Sequence, residues 1–81
     1  MSEIARLRAK AAELKHGIMK LEMVAAVHID DICKLLNRHV VDSVSEIDIE
    51  QAASTMVRLK DDITQIRRLQ AKLQDIEQEI A

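Results

Sequence analysis

The stretch from Ile18 to Val41, IMKLEMVAAVHIDDICKLLNRHVV, constrains this chain most, because it carries two apolar stripes side by side. One runs Ile18, Leu21, Ala25, His28, Ile32, Leu35, His39, in alternating steps of three and four. That spacing is the seam of a helix packed lengthwise on another helix. The second stripe is Met19, Met23, Ala26, Ile29, Cys33, Leu36, Val40. A single partner helix covers one stripe, so the surplus predicts a further packing surface, most simply against another copy of the chain.

The rest of the composition agrees with a helical reading. The chain has no Pro, no aromatic residue and one Gly, and strong helix formers dominate. Eighty-one residues make one small domain. A chain this short relies on disulfides, metals or oligomerisation to enclose a core. A single cysteine excludes an internal disulfide, and no metal motif is obvious, which leaves oligomerisation.

The seam begins earlier, at Ile4, Leu7, Ala11 and Leu14, so the first helix is expected over about 2–41 with Ser2 as its cap. The turn is expected at about 42–45. Ser45 then caps a second helix over about 46–80, with Val44 and Ile49 as a hydrophobic staple. Ser43 with Glu46 is the competing cap. The second seam reads Ile49, Ala52, Met56, Leu59, Ile63, Ile66, Leu69, Leu73, Ile76, Ile80. A short connection makes the helices antiparallel neighbours. Pairing the seams from Leu7 with Ile80 to His39 with Ile49 keeps the two residue numbers of each pair adding to the same value within one. Charge agrees with this register: Arg6, Arg8 and Lys10 fall beside Asp75, Glu77 and Glu79, and Lys34 and Arg38 beside Glu46, Asp48 and Glu50. The expected fold is all-α, a long antiparallel hairpin that dimerises into a four-helix bundle.

Several residues invite a chemical reading, and each has a plainer one. His28 and His39 lie on the seam about 16 Å apart along a helix, too far to share one ion. Asp31 is a candidate co-ligand of His28, but two donors do not close a metal site, and the plainer reading is a neutral, hydrogen-bonded histidine. Glu13 and His16 have the Glu-x-x-His spacing of di-iron bundles, yet both fall on the face away from the Leu14 seam. Cys33 sits alone on the second stripe without a base and reads as a small hydrophobe. Arg58, Lys60, Arg67, Arg68 and Lys72 are interleaved with acids, as on a solvated helix face. Gly17 is either a point of close approach or simply tolerated.

No catalytic residue, cofactor site or metal site is therefore expected. With a net charge of −2 and no aromatic ring for base stacking, nucleic acid is not an expected partner. No apolar run approaches the length of a membrane span, and nothing at the N-terminus reads as a signal peptide, so the expected location is cytoplasmic. The expected function is a non-enzymatic protein–protein interaction module: an adaptor, small chaperone or structural subunit. It acts through an interface of Met19, Met23, Ile29, Cys33, Leu36 and Val40. Two other classes compete. A dimeric nucleic-acid-binding regulator requires a basic stripe on the assembled surface, and a metal-binding bundle requires converging ligands.

Overall fold

The computed structural model describes residues 2–37 and 42–81, and among them there are two long helices and no strand. Helix α1 spans Glu3–Leu35 and α2 spans Ile49–Ile80. They pack lengthwise as an antiparallel hairpin of 63 × 16 × 15 Å. A short 3₁₀ turn, Val44–Glu46, lies in the connection.

The helix ends follow from their caps. Ser2 Oγ accepts from the Ala5 amide at 3.1 Å, so Ser2 is the cap that the sequence predicts. At the other end α1 stops earlier than expected. Leu36 is the cap, and Asn37 bonds to the Lys34 carbonyl instead of continuing the i−4 ladder. Asn and the β-branched residues beyond it are poor helix formers. The expected helical residues 38–41, with His39 and Val40, lie outside the described residues.

Helix α2 starts at Ile49, three residues later than expected, because Asp48 and not Ser45 caps it. Asp48 Oδ1 accepts from the Gln51 amide at 3.0 Å. Ile47 before it is extended, which ends the 3₁₀ turn. Ser43 serves that turn, accepting from the Ser45 amide at 3.3 Å. The staple shifts with the cap. Val44 and Ile49 are exposed, whereas Ile47 and Ala52, at the N′ and N4 places around Asp48, are drawn out of solvent.

The α1 seam is as predicted from Leu7 to Leu35: Ala11, Leu14, Ala25 and Ile32 are buried, and the intervening seam residues are half-buried. Ile4, at its start, is exposed. The α2 seam is corrected at three places. Ile49 and Met56 are exposed, Thr55 is buried, and Asp62 joins Ile63 on the inner side. The reason is the seven-residue repeat. Counted back from Ile80 through Ile76, Leu73, Leu69 and Ile66, strict steps of four and three reach Asp62, Leu59, Thr55 and Ala52. A constant supercoil holds that count even where it places polar residues inside. The antiparallel register itself stands: Leu69 Cδ1 lies 3.6 Å from where a Cβ on Gly17 would be, one residue from the predicted Ile18–Leu69 pair.

Both inward polar residues are satisfied. Thr55 Oγ1 donates to the Gln51 carbonyl at 2.9 Å. Asp62 takes His28, as described below. Across the helices, Lys15 Nζ approaches Glu77 Oε1 at 4.0 Å, and within α1 Lys10 approaches Glu13 at 3.9 Å. Among the described residues the cross-helix ion pair therefore involves Lys15, and not Arg6, Arg8 or Lys10, which the sequence set beside Asp75, Glu77 and Glu79. Exposed pairs of this kind contribute little to stability.

Candidate interaction surface

With a and d naming the seam, α1 places Arg8, Lys15, Glu22, Ile29 and Leu36 at e, and Lys10, Gly17, Val24 and Asp31 at g. Counted the same way, α2 places Ile49, Met56, Ile63, Gln70 and Glu77 at e. Its g positions are Gln51, Arg58, Gln65, Lys72 and Glu79. In an antiparallel pair, e faces e on one flank and g faces g on the other. The Lys15–Glu77 pair fixes the e flank. The same diagonal offset relates Ile29 to Ile63 and Leu36 to Met56.

Most residues of the predicted interface are exposed on or beside this flank. Ile29 and Leu36 sit at e with 47% and 40% of their surface exposed. Met19 and Cys33 sit next to it at b, and Met23 further round at f, all exposed. Val40 lies outside the described residues. The helix-two half of the surface was missed. Ile49, Met56 and Val57 are all exposed, and a groove of about 400 Å³ runs beside Met56, Leu59 and Ile63, rimmed by Lys60, Thr64 and Arg67. The seven-residue count from Ile80 is the signal that could have found them.

The apolar surface is also graded along the hairpin. Apart from Ile4, every large exposed apolar side chain among the described residues lies between Met19 and Val57, in the half nearest the turn. The half nearest the termini exposes charge and small residues: Arg6, Arg8, Lys10 and Lys15 on α1, Arg67, Asp75, Glu77 and Glu79 on α2.

His28 and Asp62 meet inside the turn half, between Ala25 and Ile32 on the α1 seam. Both are seam positions, and their side chains are only 18% and 17% exposed. Nδ1 of His28 lies 2.7 Å from Asp62 Oδ2. A carboxylate only accepts, so the imidazole donates. His28 was expected opposite Leu59; it reaches one turn further. Asp31, its proposed co-ligand, is at g and exposed. Glu13 and His16 face solvent. Among the described residues no three His, Cys, Asp or Glu side chains are grouped to hold a metal ion. Arg58, Lys60, Arg67, Arg68 and Lys72 occupy g, b, b, c and g, which spreads them around α2 without forming one stripe. No helix among the described residues is long and apolar enough to cross a membrane.

The molecule is thus a two-helix hairpin whose large exposed apolar side chains are concentrated in the turn half, among charges that run along both halves. Comparison with protein-family profiles, with curated proteins and with solved structures finds no match.

Proposed function

We propose that this hairpin is a non-enzymatic protein–protein interaction module, an adaptor, small chaperone or structural subunit. It acts by burying the apolar surface of α1, and its first partner is a second copy in a four-helix bundle. The observation that carries the reading is the exposed apolar surface of the turn half set against a thin seam. No large side chain among the described residues is fully enclosed, while Met19, Met23 and Ile29 stand about half exposed or more. Patches of this kind mark association sites.

Area supports a second copy in particular. The chain exposes 6404 Å². A compact monomer of its 9.2 kDa exposes about 4,900 Å², so roughly 1,500 Å² is in excess. Obligate homodimers bury about 1,000–2,500 Å² per partner, which brackets that excess. The mixed charge of the basic positions does not favour a nucleic-acid partner.

Sedimentation or light scattering tests this directly. The wild type is expected to be a dimer. Leu36→Glu, which places a carboxylate in the apolar contact, is expected to lower both the mass and the helix content by circular dichroism. A stable monomer at high concentration ends the homodimer reading and leaves a heterologous protein as the occupant of the surface.

A further inference from the structure

We propose that the second copy docks on the e flank, with the two turns at the same end of the bundle, so that α1 of each copy lies against α2 of the other. This rests on the self-association reading above and adds which face is used and in which direction.

The choice of flank follows from its side chains. Over the turn half the e flank presents Ile29, Leu36, Ile49, Met56 and Ile63 with one charge, Glu22, and beside them on α2 runs the groove at Met56 and Ile63. The g flank presents Val24 among Lys10, Asp31, Gln51, Arg58 and Lys72. Over the turn half, covering the e flank buries one charge, Glu22, whereas covering the g flank buries Asp31 and Arg58.

The direction follows from the gradient along the hairpin. A closed pair of identical chains has a two-fold axis. If that axis lies across the hairpin and the helices overlap fully, the turns point opposite ways. The apolar turn half of each copy then covers Arg8, Lys15 and Glu77 of the other. Sliding the copies until only the turn halves overlap avoids that mismatch, but leaves the other half of each 63 Å hairpin uncovered. With the axis along the hairpin, apolar meets apolar over the turn half. At the other end Arg8 and Lys15 of one copy face the Glu77 side of the other, repeating between chains the opposition that Lys15 and Glu77 already make within one.

Cys33 is the chain's one cysteine and is exposed at b, the position bordering the e flank. In the same-end arrangement it lies level with, and beside, residue 53 of the other copy, also at b. In the fully overlapped opposed arrangement it lies beside residue 5 instead. There residues 33 and 53 of different copies are ~40 Å apart along the axis at ~1.5 Å per residue. Ala53 and Ala5 are both exposed, so cysteine fits at either place. Treated with a short bismaleimide, Ala53→Cys is expected to give a covalent dimer on a denaturing gel. Ala5→Cys and the wild type are expected to stay mostly uncrosslinked. Linkage through Ala5→Cys and not Ala53→Cys overturns the arrangement, as does failure of both in a protein that still sediments as a dimer. A monomeric mass overturns the pairing itself, which separates the two failures. For the flank, Ile29→Glu and Val24→Glu are matched, since both residues are 47% exposed. Ile29→Glu is expected to weaken association at least tenfold, and Val24→Glu less than threefold. The reverse order overturns the choice of flank.

Discussion

The two halves of this hairpin share one seam and differ in what lies outside it. Near the termini, Ala11 and Leu14 are buried beneath a shell of Arg, Lys, Glu and Gln. Near the turn, Ala25, Ile32, Ala52 and Thr55 are buried, and Ile29, Leu36 and Met56 stand exposed beside them at e. An equally thin seam is therefore finished in two ways, once by water-loving residues and once by apolar residues that still face water. The lesson is that exposed apolar surface is not spread evenly along a coiled coil. Among the described residues the terminal half leaves one large apolar side chain, Ile4, facing water, whereas the turn half leaves many.

The same truncation made in each half should separate them most. Leu14→Ala and Ile32→Ala each remove a buried side chain of similar exposure, and such changes cost about 2–5 kcal/mol. The larger loss is expected at Ile32. If a second copy covers that half as proposed, it is enclosed from both sides and the void cannot collapse. Urea unfolding at one fixed protomer concentration reads the difference, because the stability of a dimer depends on concentration. Equal losses would mean that the two halves are energetically alike.

The seam of the turn half carries the His28–Asp62 pair. Removing either partner leaves the other withdrawn from water and unpaired. His28→Ala or Asp62→Ala should each cost about 1–3 kcal/mol in the same assay. Replacing both by Leu should recover most of that loss, since apolar pairs often match buried polar ones, but with weaker control of register. Silent single variants would reduce the pair to an ordinary surface contact.

How far this architecture is legible in the sequence varies by residue. The α1 seam from Leu7 to Leu35 follows from apolar spacing alone, because nearly every a and d position is apolar. The α2 seam does not. At Thr55 and Asp62 the strict repeat and the apolar pattern disagree, and counting apolar residues chooses Met56 and passes over Asp62. A polar group placed inside is invisible to such a count until its partner, here Gln51 or His28, is known. The same ambiguity concealed half of the candidate surface. Ile49 and Met56 were assigned to the seam and so were not available as exposed residues, whereas the surplus on α1 was plain. The cap was ambiguous for a different reason: Ser43, Ser45 and Asp48 all carry capping side chains, with no Gly or Pro to separate them.

Gly17 offers a smaller test, within the terminal half. It lies mid-helix, and a methyl group there would meet Leu69 at 3.6 Å, an ordinary contact. Nothing in the packing requires glycine. Gly17→Ala should therefore stabilise the hairpin by about 0.8–1 kcal/mol, the helix-propensity difference, without altering the oligomeric mass. A destabilised variant would show that the helices need to approach more closely there, and that this half is less self-sufficient than its shell implies.

The smallest effect is expected from the charged shell itself. Lys15 and Glu77 are 4.0 Å apart with 65% and 53% of their side chains exposed, so water and salt screen them well. A double-mutant cycle with Lys15→Gln and Glu77→Gln should give a coupling of less than about 1 kcal/mol, fading as salt is added. The cycle bears on the contrast between the halves because the pair sits on the flank that Ile29 and Leu36 occupy near the turn. If the coupling is small, the two ends of one flank differ by the nature of their side chains: apolar contact at one end, weak charge matching at the other. A coupling well above that range, surviving in high salt, would require the pair to be shielded from water in the assembled protein. The terminal half would then share in association, and the gradient along the hairpin would be shallower than its exposed surface suggests.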